Sequence, residues 1–336
     1  MMLREDALRR SEHNAVRNFV GYYDFTHQLL EVSGEDAAAF LDMIYVNSIA
    51  KLKVGAAKYT TMLNEQGEIL DDVIVFRMDE QLFRISTLYI NELIQWLDAH
   101  KGEYRVSYKD ITPHCTMYAI QGPQSRELLN RILNDEISQL PFYGICRNQI
   151  GDTTVYIARS GFTGELGYEL YCSPATAAEL EETLVANGTD LGLTKITTDV
   201  IIGSLPREKG YVLMQDLQGA NPLEAGFGWT VDLKKDFIGK AVTERLKAEG
   251  VTRNLLGFEL TEDGEVALGD EVVVNGVPVG KVTSFTYGYT VEKYIGYTLA
   301  SAPAKAGDEA VIGKNQVKAK LCDRIWYDKK NTRTKG

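Results

Sequence analysis

Two adjacent carboxylates, Asp71 and Asp72, open a β-rich run. Successive side chains on a strand point to opposite faces, so one of the pair can enter a given pocket while the other meets water. A carboxylate buried beside a ligand amine manages the proton on that nitrogen or stabilises positive charge forming there. The same dipeptide also suits a solvated turn, and residue type alone leaves both readings open. A second candidate is Gly161-Phe-Thr-Gly-Glu-Leu-Gly-Tyr-Glu169, whose glycines recur at every third position. That spacing differs from the dinucleotide fingerprint and fits either backbone held close to something flat or anionic or a plain glycine-rich turn. An ionised Glu169 can accept two hydrogen bonds from an amidine-like donor edge, as a pterin or guanine presents. Third, Pro206-Arg-Glu-Lys-Gly210 sets Arg207 and Lys209 at a kink or helix end, where they serve a carboxylate-bearing tail or simply meet solvent.

The carboxylate pair falls in a predicted hairpin, because 58–64 and 69–77 are β-rich and joined by the turn-forming Asn64-Glu-Gln-Gly67. Before it the pattern predicts a short helix and a strand over 13–34, then a helix over 34–43 behind the polar Ser33-Gly-Glu-Asp. After it come a strand at 82–88, a helix at 91–100 burying Leu93, Ile94 and Leu97, strands at 104–108 and 115–121, a helix at 124–134, and strands at 142–149 and 153–160. Helical spacing marks 174–187, 194–205 and 239–249. Beyond about residue 250 the runs become short and alternating, with Asn275-Gly276 a strong hairpin signal, and a small β-barrel is expected. The fold class is α+β, divided into residues 1–250, with two α+β subdomains, and the barrel, 251–336.

A chain of 336 residues exceeds what a single core usually organises. Its 36 basic against 47 acidic side chains give −11, which lacks the basic field that nucleic acid or an anionic membrane surface requires. The four cysteines and four histidines show no metal-ligand or disulfide-framework spacing, so no metal is expected and a reducing compartment fits. No apolar stretch of about 18 residues occurs, and Met1 to Arg10 lacks an apolar signal core. A cytoplasmic, unprocessed monomer is the expectation.

Taken in order, several blocks resemble the glycine cleavage T-protein family of tetrahydrofolate-dependent one-carbon transferases. They include Glu12-His-Asn-Ala-Val-Arg17, Tyr59-Thr-Thr-Met-Leu-Asn64, Gly67-Glu-Ile-Leu-Asp-Asp-Val73, the 161–169 motif, Ser204-Leu-Pro-Arg-Glu-Lys-Gly-Tyr211 and Asn221-Pro-Leu-Glu-Ala-Gly-Phe-Gly-Trp229. The resemblance implies a three-subdomain cloverleaf around a central folate channel, closed by a C-terminal barrel. It assigns Asp71 a place beside the folate nitrogens, Glu169 a grip on the pterin edge, and Tyr59 and Val73 the lining of the same site.

This chain also departs from the family pattern. Pro206 stands where the family's R-L-E has its folate-contacting arginine, with Arg207 beside it; Phe162 replaces a usual tyrosine, and Ser86 a folate-facing asparagine. The F-x-G-W segment that precedes the first block in the family is missing. The implied reaction moves a one-carbon unit to folate N5 from a small-molecule donor or from an aminomethyl-lipoyl carrier protein. The alternative is a non-enzymatic folate-binding protein of the iron-sulfur maintenance type, whose K-G-C-Y motif here reads Lys209-Gly-Tyr211 without the cysteine.

Overall fold

The computed structural model describes residues 3–336, so the first two residues of the stretch read for a leader lie outside the described residues. In chain order, α1 (Ala7–Asn18) leads into β1 (Val20–Asp24), β2 (Gln28–Ser33), α2 (Ala37–Ile44), the hairpin β3 (Ala56–Leu63) and β4 (Ile69–Asp79), β5 (Leu82–Thr87), α3 (Ile90–His100) and β6 (Ser107–Asp110). Then follow β7 (Thr116–Gln121), α4 (Ser125–Ile132), β8 (Ile145–Ile150), β9 (Thr153–Ala158), β10 (Gly167–Cys172), α5 (Ala177–Gly188) and β11 (Leu193–Lys195). A π-helical turn, Asp199–Ser204, runs into α6 (Leu205–Lys209), with α7 (Met214–Leu217) and α8 (Lys240–Glu249) after it. The last strands are β12 (Arg253–Leu260), β13 (Glu271–Val274), β14 (Val277–Gly288), β15 (Lys293–Ser301), β16 (Glu309–Ile312) and β17 (Val317–Cys322), followed by α9 (Thr332–Lys335).

These strands make a six-stranded sheet in the order β11-β1-β7-β10-β9-β8, a five-stranded sheet in the order β3-β4-β5-β2-β6, and a closed barrel of β12 to β17. The α+β class and the C-terminal barrel expected from the sequence are both present. Helical spacing explains the outer layers. In α2 and α3, Phe40, Leu41, Ile44, Leu93 and Leu97 pack on Val73, Val75 and Ile85 of the five-stranded sheet. In α4 and α5, Leu128, Leu129 and Leu184 pack on Ile120, Ile157 and Leu170 of the other. The inner faces of the two sheets meet each other, Leu29, Ala57 and Phe76 against Met117, Ala119, Ala158 and Tyr171. Strand alternation therefore assigns each residue of β4 either to the helix-covered core or to the space between the sheets.

The barrel closes where β17 returns to β12, and its Asn275-Gly276 turn has positive φ at both residues, as a two-residue hairpin of this hand requires. Its tail crosses back over α6: the amides of Trp326 and Tyr327 donate to Glu208 O at 2.9 and 2.8 Å.

Four stretches differ from the sequence expectation. The short helix and single strand expected over 13–34 are α1, which begins at Ala7, and two strands, β1 and β2, that join different sheets. Residues 193–195 form a parallel edge strand on β1, not the start of a helix, because left-handed Gly192 ends the preceding turn and turns the chain onto that edge. The strand expected at 104–108 lies at 107–110. The end of the glycine motif is itself a strand, β10, at the centre of its sheet. There Gly161 and Gly167 both lie against the buried side chain of Gln121, where a Cβ at either position would collide with its amide. That amide donates to Ser160 O and Tyr168 O and accepts from Thr163 Oγ1, so these two glycines serve packing inside the sheet.

Candidate functional site

The β3–β4 hairpin fixes the geometry. Gly67, at φ +78°, donates to Asn64 O at 2.9 Å, and one residue of bulge between Met62 and Leu63 sets Thr61 opposite Asp72 and Met62 opposite Asp71. Tyr59 pairs with Ile74, and Ile74 with Ser86, so these three form a row on the face turned toward the other sheet. Asp72 shares that face, two residues before Ile74. Val73 and Asp71 take the opposite face, where Val73 is buried beneath α2 and α3.

The inward carboxylate is held by a phenol: Tyr59 Oη donates to Asp72 Oδ2 at 2.9 Å. Burial pushes the Asp72 carboxyl up to about 6, helped by the nearby charge of Asp216 and opposed by the Tyr59 bond. Burial and Asp72 together hold the Tyr59 phenol well above its usual range. Both side chains keep partial solvent contact. Tyr59 stacks on Trp229 with centroids 6.1 Å apart and meets Phe227 edge-on at 5.5 Å. Trp229, 70% exposed, marks where this wall reaches solvent. Opposite Asp72, Thr61 Oγ1 is buried with no partner.

Across the gap, β10 presents Glu169, 8% exposed, and Tyr171 Oη donates to its Oε2 at 2.7 Å. The other carboxylate oxygen takes no bond from the described residues and stays available to a donor edge. Phe162 stacks on Tyr211 at 5.6 Å and 18°. Tyr143 bridges the two walls, its carbonyl accepting from Ala57 N at 2.7 Å and its amide donating to Arg159 O at 2.9 Å, and burial, with the charges of Tyr211 and Glu169, raises its phenol. Burial lifts the Tyr211 phenol to about 12. Arg207 approaches Asp216 at 3.8 Å and donates to Tyr211 O at 3.4 Å, while Asp216 accepts from Ser284 and from Leu213 N.

Tyr59, Glu169 and Tyr211 all lie near Tyr143, with Phe162 stacked on Tyr211 and Arg207 bonded to its carbonyl, and Ser86 shares the sheet face of Tyr59. His27 Nδ1 donates to Phe25 O at 2.6 Å, so Nε2 accepts the Ser86 hydroxyl and engages it. Asp71 stands apart, 2% exposed, accepting from Thr87 Oγ1 at 2.6 Å on the floor of an outer cleft of about 330 Å³ lined also by Tyr89, Glu92 and Trp96. Burial pushes it up to about 7, with Asp72 and Glu92 adding to the rise and Thr87 opposing it. Neither carboxylate of the pair is a solvated turn residue. The signal that separates them is parity: Tyr59 and Asp72 share a face once the bulge is counted.

Residues 5–235 match the GCVT N-terminal domain and residues 253–328 the glycine cleavage T-protein C-terminal barrel domain. An aminomethyltransferase of Clostridium botulinum (strain Kyoto / Type A2) is 34% identical over 335 residues, 96% of this chain and 90% of that protein. One of Halothermothrix orenii is 36% identical over 291 residues, covering 85% of this chain and 81% of that protein. The crystal structure of the glycine cleavage system aminomethyltransferase T from Bartonella henselae shares the fold, with a TM-score of 0.86 at 24% identity over 95% of this chain and 90% of that one. A two-sheet body with a closed C-terminal barrel is the fold this chain shares with that structure. The chain belongs to the glycine cleavage T-protein family.

Proposed function

We propose that the chain is a tetrahydrofolate-dependent one-carbon transferase that moves an aminomethyl or methyl unit from a donor to folate. The carrying observation is the pairing across the channel: a desolvated Asp72 held by Tyr59 on one wall, and Glu169 with one free oxygen on the other. The residues fit the cofactor chemically. Glu169 suits a pterin donor edge, the Phe162, Tyr211 and Tyr143 rings suit a flat heterocycle, and the buried, unpartnered Thr61 hydroxyl suits a polar ligand atom beside Asp72.

When bound, tetrahydrofolate supplies the nitrogen that receives the one-carbon unit. Glu169 binds and orients, kept in rotamer by Tyr171. Asp72 stabilises positive charge on a neighbouring nitrogen and can hold its proton, with Tyr59 Oη fixing the carboxylate in place. Desolvation strengthens that interaction, and confinement removes much of the entropy cost of bringing donor and acceptor together. Asp71, on the other face of the strand, contributes the field of a second carboxylate, and Val73 the packing beneath it. The donor is a small amine, ether or sulfonium compound or an aminomethyl-lipoyl carrier protein.

The test is a single-turnover assay for methyl- and methylene-tetrahydrofolate with a donor panel comprising aminomethyl-lipoyl carrier, N-methyl amines, aryl methyl ethers and sulfonium compounds, together with the thermal shift produced by tetrahydrofolate. Product with any donor supports the transferase. A shift without product from any donor favours the non-enzymatic folate-binding alternative, and absence of both overturns the folate reading.

A further inference from the structure

The sequence offers two cations, Arg207 and Lys209, for a carboxylate, and the fold engages both. Lys209 Nζ binds Asp328 at 3.0 Å, and Arg207 faces Asp216 and donates to Tyr211 O. A third cation at the same place is not spent. Arg324 follows the last barrel strand; its Nε donates to Gly210 O at 3.1 Å and its guanidinium lies over the Phe227 ring, 5.1 Å from the centroid. Among the described residues no carboxylate comes within the 4.0 Å of an ion pair, and the two Nη groups find no acceptor.

This is not a surface arginine. It is only partly exposed, and burial draws its pKa below the usual guanidinium range while the neighbouring Tyr297, Tyr59 and Asp216 oppose that fall. Gly226 makes room for it, since a Cβ there would lie 2.9 Å from Arg324 Nη1. Phe227 is the common neighbour that ties this guanidinium to the channel, with Arg324 over its face and Tyr59 at its edge. The ring and the Gly210 carbonyl fix the plane of the fork and leave both Nη groups without an acceptor, the donors with which arginine binds a carboxylate bidentately.

We propose that Arg324 is the carboxylate-binding residue of the channel, taking the place in charge that Pro206 vacates. The ligand chemistry is a carboxylate, and two sources supply one: the glutamyl tail of folate, which rests on the folate reading, or a small amino-acid donor. The fold leaves this partly desolvated cation unpaired, an arrangement that costs stability until an anion arrives.

The test uses the full chain and its Arg324→Met and Arg324→Lys variants. Calorimetry compares tetrahydrofolate with its diamide, in which both glutamyl carboxyls are carboxamides, and thermal shift compares sarcosine with N-methylglycinamide. The wild type is expected to prefer one acid over its amide by about tenfold to a hundredfold, the range of a hydrogen bond to a charged group. Arg324→Met is expected to erase that preference while leaving amide binding unchanged, and Arg324→Lys to keep part of it. Loss confined to the folate pair assigns the tail, and loss confined to the sarcosine pair assigns the donor. A wild type with no preference in either pair, or an Arg324→Met variant that retains it, overturns the proposal. If the wild type binds no folate form at all, the folate reading fails while the sarcosine pair still decides the role of Arg324. If Arg324→Met fails to fold, Arg324→Gln replaces it in the same comparison.

Discussion

Tyr59 Oη and Asp72 Oδ2 lie 2.9 Å apart across neighbouring strands, and this bond marks which of two adjacent carboxylates strand alternation turns toward the other sheet. A phenol kept protonated by its surroundings can only donate to that carboxylate, so it steadies Asp72 without taking its proton. The bond also opposes the burial that raises the Asp72 pKa, which leaves the group able to change charge near neutrality.

Asp72→Asn keeps size and hydrogen-bond reach but removes the charge. Single-turnover transfer is expected to fall by a factor on the order of 10² to 10⁴, the usual contribution of a positioned acid or base, with little change in folate affinity. Asp71→Asn should cost far less, because that side chain opens to the outer cleft. Larger loss from Asp71→Asn than from Asp72→Asn in rapid-quench kinetics would reverse this assignment.

Both carboxyls sit above their unfolded value near 3.8, Asp72 at about 6 and Asp71 at about 7. The folded chain therefore binds more protons than the unfolded chain between pH 4 and pH 7, and the stability these groups contribute is full below that window and lost as pH rises through it. Asp71→Asn cannot ionise, so it should be more stable than wild type at pH 8 by on the order of 4 kcal/mol and close to it at pH 4. The transfer rate should rise with pH through about 6 as Asp72 ionises, and become flat in Asp72→Asn. Urea unfolding at the two pH values and a pH–rate profile check both; a variant equally displaced at pH 4 and pH 8 counts against the first.

Glu169→Ala removes the acceptor from the second wall and leaves the Tyr171 hydroxyl without its partner. Tetrahydrofolate affinity should drop by about 1 to 3 kcal/mol, the cost of unpaired donors. Tyr171→Phe should lose less, since it frees the carboxylate without removing it. Calorimetric affinities of the two variants in the opposite order would move the pterin edge away from Glu169.

Much of this arrangement was legible in the sequence, for identifiable reasons. The 56–79 hairpin announces itself through Asn64 to Gly67, and the barrel through alternation and Asn275-Gly276. The face of Asp72 was not legible. Val73, Ile74, Val75 and Phe76 are apolar on both sides because β4 is covered by helices on one face and by a second sheet on the other, and such a run carries no alternation to read. The bulge beside Met62 then shifts the register by one residue, the smallest error that exchanges faces. Arg324 was invisible for a different reason: it reaches the channel from the far end of the chain, and only tertiary packing sets it over Phe227.

A last prediction concerns the buried charges that hold α1, the glycine motif and α6 together. Arg17 bonds Glu165 at 3.2 Å and Glu208 at 2.9 Å with all three side chains almost wholly buried, and it lies over the Tyr327 ring at 3.9 Å. Burial alone would raise Glu208, but His13 and Arg17 outweigh it and hold the carboxyl at about 2. Its folded value is therefore depressed, and the stability it contributes is present above the unfolded value near 4.5 and lost as pH falls toward 2. Arg17→Met takes the shared cation from two buried carboxylates and leaves Glu165 with Arg333 and Glu208 with His13, so the cost should fall near or below the low end of the about 3 to 5 kcal/mol typical of a broken buried pair. In the variant those groups can escape by taking up protons, so the penalty should be largest at pH 7 and clearly smaller at pH 3.5. Unfolding free energies of both proteins at the two pH values measure this directly. An equal penalty at both would show that Arg17 acts through packing against Tyr327 and not through its charge.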